Sequence, residues 1–184
     1  TGVDLDAGQW EAVLELVRER ALVPFLDIAY QGFADGLAED GAGVRRFAET
    51  GGPVFVANSF SKSISLYGER VGALSVVAGS TDEAARVLSQ LKRVVRSNYS
   101  NPPSHGGKIV TAVLTDPELR ALWEKELGEM RERIRTLRKR FVDGLHARVS
   151  GSDFSFVVRQ RGMFSYSGLS KNVVVRLREE FAVY

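Results

Sequence analysis

Apolar residues recur at helical spacing in several stretches of the chain, with short continuous apolar runs between them. The first stretch places Trp10, Val13, Leu14 and Val17 on one face of a helix. Asp6 precedes it, and aspartate commonly accepts hydrogen bonds from the free N–H groups at a helix N-terminus. The pattern predicts a helix that begins just after Asp6.

Five further helices are predicted from capping residues, chain breaks and periodicity. Ser80 and Asp116 are candidate caps, and Pro117 suits the first position of a helix of about eight turns. The predicted helices cover residues 43–50, 80–98, 108–115, 116–149 and 170–181, with Ser170 as the last cap. The longest one carries an apolar stripe that we expect to lie in the core: Leu119, Leu122, Trp123, Leu127, Met130, Ile134, Leu137, Phe141 and Leu145.

The short apolar runs predict strands. Residues 21–27 and 53–58 read as buried strands, and the nearly uncharged run 70–79 reads as a third strand of the kind buried in parallel sheets. Residues 154–158 and 162–167 are also predicted to be strands. Strands that alternate with helices indicate an α/β fold with a parallel sheet.

Two domains are predicted from this alternation. Residues 1–120 would form a large parallel-sheet domain, and residues 121–184 would belong to a smaller α+β domain. The long helix would join the two.

Composition narrows the function classes. The net charge of the 184-residue chain is only +2, so no bulk electrostatic argument favours nucleic acid. Cysteine is absent, and His105 and His146 are far apart in sequence, so no metal site is predicted. The sequence contains no apolar run of about 18 residues, so no membrane span is predicted. We expect a cytoplasmic protein. The chain begins without Met and ends on the apolar "FAVY", so we expect a piece of a longer protein.

Polar side chains follow two of the predicted strands, where ligands bind in doubly wound sheets. Asp27 ends one strand, and Lys62 follows the next after a short loop. A partly desolvated lysine has a lowered pKa and attacks carbonyl groups, so it could form an imine with an aldehyde cofactor. Pyridoxal 5'-phosphate also needs a carboxylate at its ring nitrogen, donors for its phosphate and a donor for its phenolic oxygen. Asp27 is the candidate carboxylate for the ring nitrogen. Arg70, Ser59 and Ser61 are the candidate donors for the phosphate, and Tyr30 is the candidate donor for the phenolic oxygen.

Each candidate also has a purely structural interpretation. Lys62 could be solvated, Asp27 could cap a turn, and Tyr30 could pack against Phe33. Further alternatives are an ion pair of Arg70 with Glu69 or Glu49, and backbone hydrogen bonds for Ser59 and Ser61.

Four segments in order carry a resemblance to a known family: "LDIAYQGF", "SFSKSISLYGERVG", "RSNYSNPPSHGG" and "QRGMFSYSGLS". Together they resemble the class I aminotransferases of fold type I, in particular the aspartate and aromatic amino-acid subgroup. The first two segments look closer to the aromatic amino-acid enzymes than to the strict aspartate enzymes. The resemblance covers essentially the whole chain and implies the C-terminal portion of such an enzyme.

The resemblance implies a role for each candidate. Lys62 would carry the cofactor and move the substrate proton, and Asp27 would hold the cofactor's ring nitrogen. Tyr30 would bind the phenolic oxygen, while Ser59, Ser61 and Arg70 would hold the phosphate. Arg96 would reach the neighbouring subunit's site in a homodimer and bind a substrate's distal carboxylate.

The implied reaction moves an amino group from an aromatic L-amino acid, or from aspartate, to 2-oxoglutarate. Alternatives are an aspartate aminotransferase proper, or an isolated inactive fragment of such an enzyme. Decarboxylases and synthases of the same fold share the lysine, but they generally lack the segment that contains Arg96.

Overall fold

The computed structural model describes residues 2–184, and over this range the backbone forms eight helices and three strands. The helices are α1 (Ala7–Glu19), α2 (Leu37–Asp40), α3 (Ala42–Ala48), α4 (Thr81–Tyr99), α5 (Ser104–Thr115), α6 (Pro117–His146), α7 (Ser155–Val158) and α8 (Lys171–Phe181). The strands are β1 (Phe25–Ile28), β2 (Val54–Ser59) and β3 (Gly72–Val77).

Helix α1 begins where the sequence predicts. The Asp6 carboxylate accepts a hydrogen bond from the Gln9 backbone N–H at 2.8 Å, and the Gln9 side chain accepts one from the Asp6 N–H at 3.0 Å. This reciprocal capping box satisfies two N–H groups that the helix itself cannot pair. The predicted helix and its cap are confirmed.

The core lies between α1, α3 and the sheet. Leu14, Phe47, Val54 and Val56 are buried there, and Trp10 packs edge-on against Phe47 with ring centroids 5.9 Å apart. The alternation of buried and half-buried positions along β2 presents its Val side chains to the two helices. These contacts fix the sheet that carries the candidate site.

The sheet has the order β1-β2-β3, and its first pair is parallel as predicted. The β2–β3 pair is antiparallel, so the expectation of a third parallel strand is wrong. Only residues 60–71 separate these two strands, and they form turns rather than the long crossover that parallel pairing needs. The first four residues of β3 are exposed, so the expected burial of this strand is also wrong for this chain.

The long helix is confirmed, but its apolar stripe is only partly core. The Asp116 carboxylate accepts hydrogen bonds from the N–H groups of Glu118 and Leu119, and Pro117 occupies the first turn. Leu127 is fully buried in the stripe. Four stripe residues are instead about half exposed, which corrects the expectation that the whole stripe is buried: Leu119, Leu122, Leu137 and Phe141.

The two strands predicted near the C-terminus are absent from the described chain. Residues 155–158 form the short helix α7, and residues 162–167 have no regular structure. The Gln160 side chain pairs with both backbone groups of Tyr166, donating to its carbonyl at 2.8 Å and accepting from its N–H at 2.6 Å. Side chains therefore satisfy backbone groups that a sheet partner would otherwise bond.

The predicted helices 80–98 and 170–181 are confirmed, with Ser80 and Ser170 as caps. The sequence does not predict the short helix α2, because four residues are too few for helical periodicity to show. Across residues 2–184, no helix combines the length and the apolar character that a membrane crossing requires.

Helix α6 is tied to the turns after β2 by one side chain. The Trp123 indole N–H donates a hydrogen bond of 2.6 Å to the Ser63 carbonyl. Within these turns the Ile64 N–H donates to the Phe60 carbonyl and the Ser65 N–H to the Lys62 carbonyl, each at 3.2 Å. The indole thus anchors residues 60–71, which we call the β2–β3 turn segment.

We predict that Trp123→Phe loosens the β2–β3 turn segment, because it leaves the Ser63 carbonyl without its donor. A lost hydrogen bond of about 1 kcal/mol corresponds to roughly fivefold faster amide exchange at residues 64 and 65. Leu122→Ala, at a half-exposed position of the same helix, is the matched control. Unchanged protection in Trp123→Phe, measured by hydrogen–deuterium exchange, would show that the indole is not the anchor.

Candidate functional site

The carboxyl end of β1 and the β2–β3 turn segment meet at one edge of the sheet. The parallel register pairs Asp27 with Ala57, and β2 ends at Ser59, three residues before Lys62. Neighbouring strands lie about 4.8 Å apart, so this register brings the end of β1 beside the start of the turn segment. Asp27 is exposed at this edge.

Lys62 and Tyr30 are in contact. The Lys62 Nζ lies 4.8 Å from the centroid of the Tyr30 ring, within the range of a cation–π interaction. Both residues are half-buried. Within residues 2–184 the Lys62 ammonium and the Asp27 carboxylate make no hydrogen bond or salt bridge to another residue, so both remain available to a ligand.

Three serines lie at the end of β2 and in the first residues of the turn segment. Ser61 and Ser63 are buried, with 4% and 7% of their surface exposed. The Ser61 N–H donates to the Ser59 Oγ at 3.3 Å, so Ser59 has a structural contact as well as its predicted role. The Phe60 N–H donates to the Val71 carbonyl at 3.1 Å, which closes the segment on itself.

Arg70 occupies the far end of the same closed segment. Its φ of +54° lies in the left-handed region, which is uncommon for a residue other than glycine and concentrates at functional sites. Its Nη1 donates to the Tyr67 carbonyl at 3.1 Å, and its side chain is otherwise exposed. The ion pairs with Glu69 or Glu49 considered as alternatives do not form. The turn segment thus contains Ser61, Lys62 and Arg70, and Ser59 immediately precedes it as the last residue of β2.

A cleft of about 770 Å³ opens beside the end of β1. Asp27 and Tyr30 line it, together with residues 2–7 and residues 161–164. Within residues 2–184, the lining of this cleft includes neither Lys62 nor Arg70. The cleft therefore unites two of the predicted residues, and Lys62 joins them through its contact with Tyr30.

The structure does not bring Arg96 to this cleft. Arg96 lies in the last turn of α4, where its Nη1 donates to the Ser100 hydroxyl. It is exposed and lines a separate shallow depression with other residues of the same helix: Ser89, Lys92, Arg93 and Ser97. Within one chain, Arg96 is therefore apart from the other candidates.

Two residues that sequence reasoning missed shape the loop between β1 and α2. The Asp40 carboxylate accepts hydrogen bonds from the backbone N–H groups of four residues, Gly32, Ala34, Asp35 and Gly36. The Phe164 ring packs edge-on against Tyr30, with centroids 5.4 Å apart and an interplanar angle of 79°. Neither periodicity nor a local motif signals these contacts, because Asp40 lies in a four-residue helix and Phe164 is distant in sequence.

Known proteins are similar to this chain over its whole length. A family model described as aminotransferase class I and II matches residues 1–184. An aspartate aminotransferase from Pseudomonas aeruginosa is 62% identical over 184 residues, which is 100% of this chain and 46% of that relative. A tyrosine aminotransferase from Klebsiella pneumoniae is 53% identical with the same coverage.

The fold is also similar to solved structures. The aromatic-amino-acid aminotransferase from Burkholderia pseudomallei, covalently bound to pyridoxal phosphate, has a TM-score of 0.98 and 64% identity. The match covers 100% of this chain and 46% of that one, so the chain spans about half the length of its relatives. The predicted α/β class, fold type I, is confirmed. By its sequence over all 184 residues and by its fold, the chain belongs to the family of class I and II aminotransferases.

Proposed function

We propose that the chain forms part of an enzyme that transfers an amino group from an aromatic L-amino acid, or from aspartate, to 2-oxoglutarate with pyridoxal 5'-phosphate as cofactor. The observation that carries the proposal is the contact of Lys62 with Tyr30 beside the end of β1, where Asp27 lies. Family membership supports the reaction type.

The available groups fit the cofactor. A free amine, a phenol and a free carboxylate lie at one edge of the sheet, and buried serine hydroxyls and an arginine belong to the adjoining turn segment. Pyridoxal phosphate, when bound, supplies an aldehyde and an electron-withdrawing ring that stabilises negative charge on the substrate α-carbon. Lys62 would hold the aldehyde carbon, and Asp27 would hold the ring nitrogen.

The chain's own residues then perform the binding and proton transfer. The Lys62 amine would act as the general base and acid that moves the proton of the substrate α-carbon. The Asp27 carboxylate would hold the ring nitrogen in its protonated form by charge pairing. The Tyr30 hydroxyl would donate to the phenolic oxygen. Arg70, with Ser59 and Ser61, would neutralise and bind the phosphate.

Arg96 is proposed to act in the site of a second subunit of a homodimer. Its side chain is exposed in a single chain, and Ser100 is its hydrogen-bond partner within residues 2–184. A guanidinium binds a carboxylate with two parallel hydrogen bonds, so Arg96 would suit the distal carboxylate of a dicarboxylic substrate. Shared active sites between subunits follow from this assignment.

The proposal includes the domain division and the compartment. Residues 1–120 would belong to the cofactor domain and residues 121–184 to the smaller one, with α6 between them. The cytoplasm is proposed as the compartment. The relatives include both aspartate and aromatic amino-acid enzymes, which supports a donor range that covers both classes.

We predict that Lys62→Ala abolishes transamination by the full-length enzyme with either phenylalanine or aspartate as donor. The variant lacks the amine that moves the α-proton, and Lys62→Arg should fail equally because its guanidinium stays protonated. The exposed Lys108 supplies the control, and Lys108→Ala should keep wild-type turnover. Wild-type turnover in Lys62→Ala, measured as oxo-acid formation, would refute the assigned role.

We also predict that Asp27→Asn lowers kcat/KM by about 10²-fold to 10³-fold, the range seen when a preorganised electrostatic group is lost. The neutral amide cannot hold the proton on the ring nitrogen by charge. Asp4→Asn is the matched control, because Asp4 is an exposed carboxylate that lines the same cleft. Equal losses in the two variants, in steady-state assays, would mean that Asp27 contributes only to the overall charge of the cleft.

A further inference from the structure

Arg138 is a buried cation without a carboxylate partner in the described chain. Only 5% of its surface is exposed. Its guanidinium donates to backbone carbonyls and one hydroxyl, namely the Gln160 carbonyl at 3.0 Å, the Gly162 carbonyl, the Phe164 carbonyl at 2.8 Å and the Ser165 Oγ at 2.8 Å. Burial lowers the pKa of Arg138 from its ordinary value, and Arg135 adds a smaller repulsion.

A buried charge that meets only neutral acceptors is costly, so its geometry needs an explanation. The planar guanidinium offers five N–H donors in a fixed fork, whereas a lysine offers three donors on a single atom. Arg138 uses this fork to bind the carbonyls of residues 160, 162 and 164 in a segment without regular structure. The result is a loop without regular structure of its own, held in place by hydrogen bonds from a side chain of α6.

Two other contacts hold the same loop. The Gln160 side chain pairs with the Tyr166 backbone, and the Arg161 N–H donates to the Gly2 carbonyl at 2.8 Å. Gly2 has a φ of +79°, and a Cβ there would lie 2.6 Å from the Phe164 carbonyl oxygen. Residue 2 therefore approaches the loop as closely as glycine allows, and the loop is held from both sides.

The loop presents Phe164 to Tyr30. The two rings meet edge-on at 5.4 Å, and the Lys62 Nζ lies 4.8 Å from the centroid of the same Tyr30 ring. Edge-to-face pairs are favourable beyond the burial of their rings and restrict the orientation of each ring. Contacts therefore run from Arg138 through the Phe164 backbone to the Phe164 ring and on to Tyr30.

We propose that Arg138 is a positioning residue, which orients the Tyr30 hydroxyl by holding the loop that carries Phe164. The inference rests on the proposed function, in which Tyr30 donates to the phenolic oxygen of the cofactor. Within residues 2–184, Arg138 hydrogen-bonds to residues of the loop and to none of the predicted site residues. Its effect is on where the Tyr30 donor points.

The test uses the full-length protein and three variants. Arg138→Lys keeps the charge and loses the fork, while Phe164→Leu removes the ring and leaves the Arg138 hydrogen bonds to the backbone in place. Arg140→Lys changes an exposed arginine of the same helix and is the matched control. The first readout is the pH midpoint of the visible absorbance of bound pyridoxal phosphate. The second is the dissociation constant of the cofactor for cofactor-free protein.

Arg138→Lys and Phe164→Leu should both raise the pH midpoint by roughly half a unit or more, because a misplaced Tyr30 no longer stabilises negative charge on the phenolic oxygen. Cofactor affinity should fall about fivefold, as for one weakened hydrogen bond. The double variant of Arg138→Lys and Phe164→Leu should shift the pH midpoint little more than either single variant, because both substitutions act on Tyr30 through the same contacts. Arg140→Lys should match the wild type.

Faster amide exchange in residues 160–166 of Arg138→Lys with an unmoved midpoint would overturn the inference, because Arg138 would then be only structural. An unmoved midpoint in Phe164→Leu would also overturn it, and this variant decides the matter even where Arg138→Lys does not fold. A wild-type protein that takes up no pyridoxal phosphate would overturn the proposed function together with this inference. The two failures are therefore distinguishable.

Discussion

The parallel pairing of β1 with β2 is the constraint on which the candidate site depends. Its register places Asp27 opposite Ala57, so that the loop after β1 and the turn segment after β2 leave the sheet side by side. A slip of one residue would turn every side chain of β1 to the other face. Leu14 and Phe47, packed against β2, fix that register through the buried core.

Helix α6 supports both loops from one side. Trp123 anchors the turn segment that contains Lys62, and Arg131 donates to the Gly32 carbonyl at 2.9 Å. Arg135 donates to the Ala34 carbonyl at 2.7 Å, and Arg138 holds the Phe164 loop. These residues, at intervals of eight, four and three positions, lie along one side of the helix. Polar side chains of α6 therefore hold the loops of the candidate site in place.

Much of the fold could be predicted from the sequence because local rules decide it. Asp6, Ser80 and Asp116 are strong N-caps, and the helices they precede begin where expected. The direction of β3 depends on how residues 60–71 turn, and the apolar run of that strand does not encode this. Residues 154–158 and 162–167 have strand-like composition, but residues 155–158 form the short helix α7. In the second segment, the side chains of Arg138 and Gln160 bond the backbone of residues 162, 164 and 166 instead. The candidate residues of the site follow from the chemistry of the cofactor and from the resemblance, and Arg96 follows from the resemblance alone. The contacts that orient these residues are visible only in the structure.

The most direct test of the central claim is to map the lysine that forms the cofactor adduct. The purified full-length protein would be treated with pyridoxal phosphate, reduced with borohydride, digested and measured by mass spectrometry. The account predicts one reduced adduct per chain on the peptide that contains Lys62. Adducts spread over exposed lysines such as Lys92 and Lys108, with none enriched at Lys62, would contradict it.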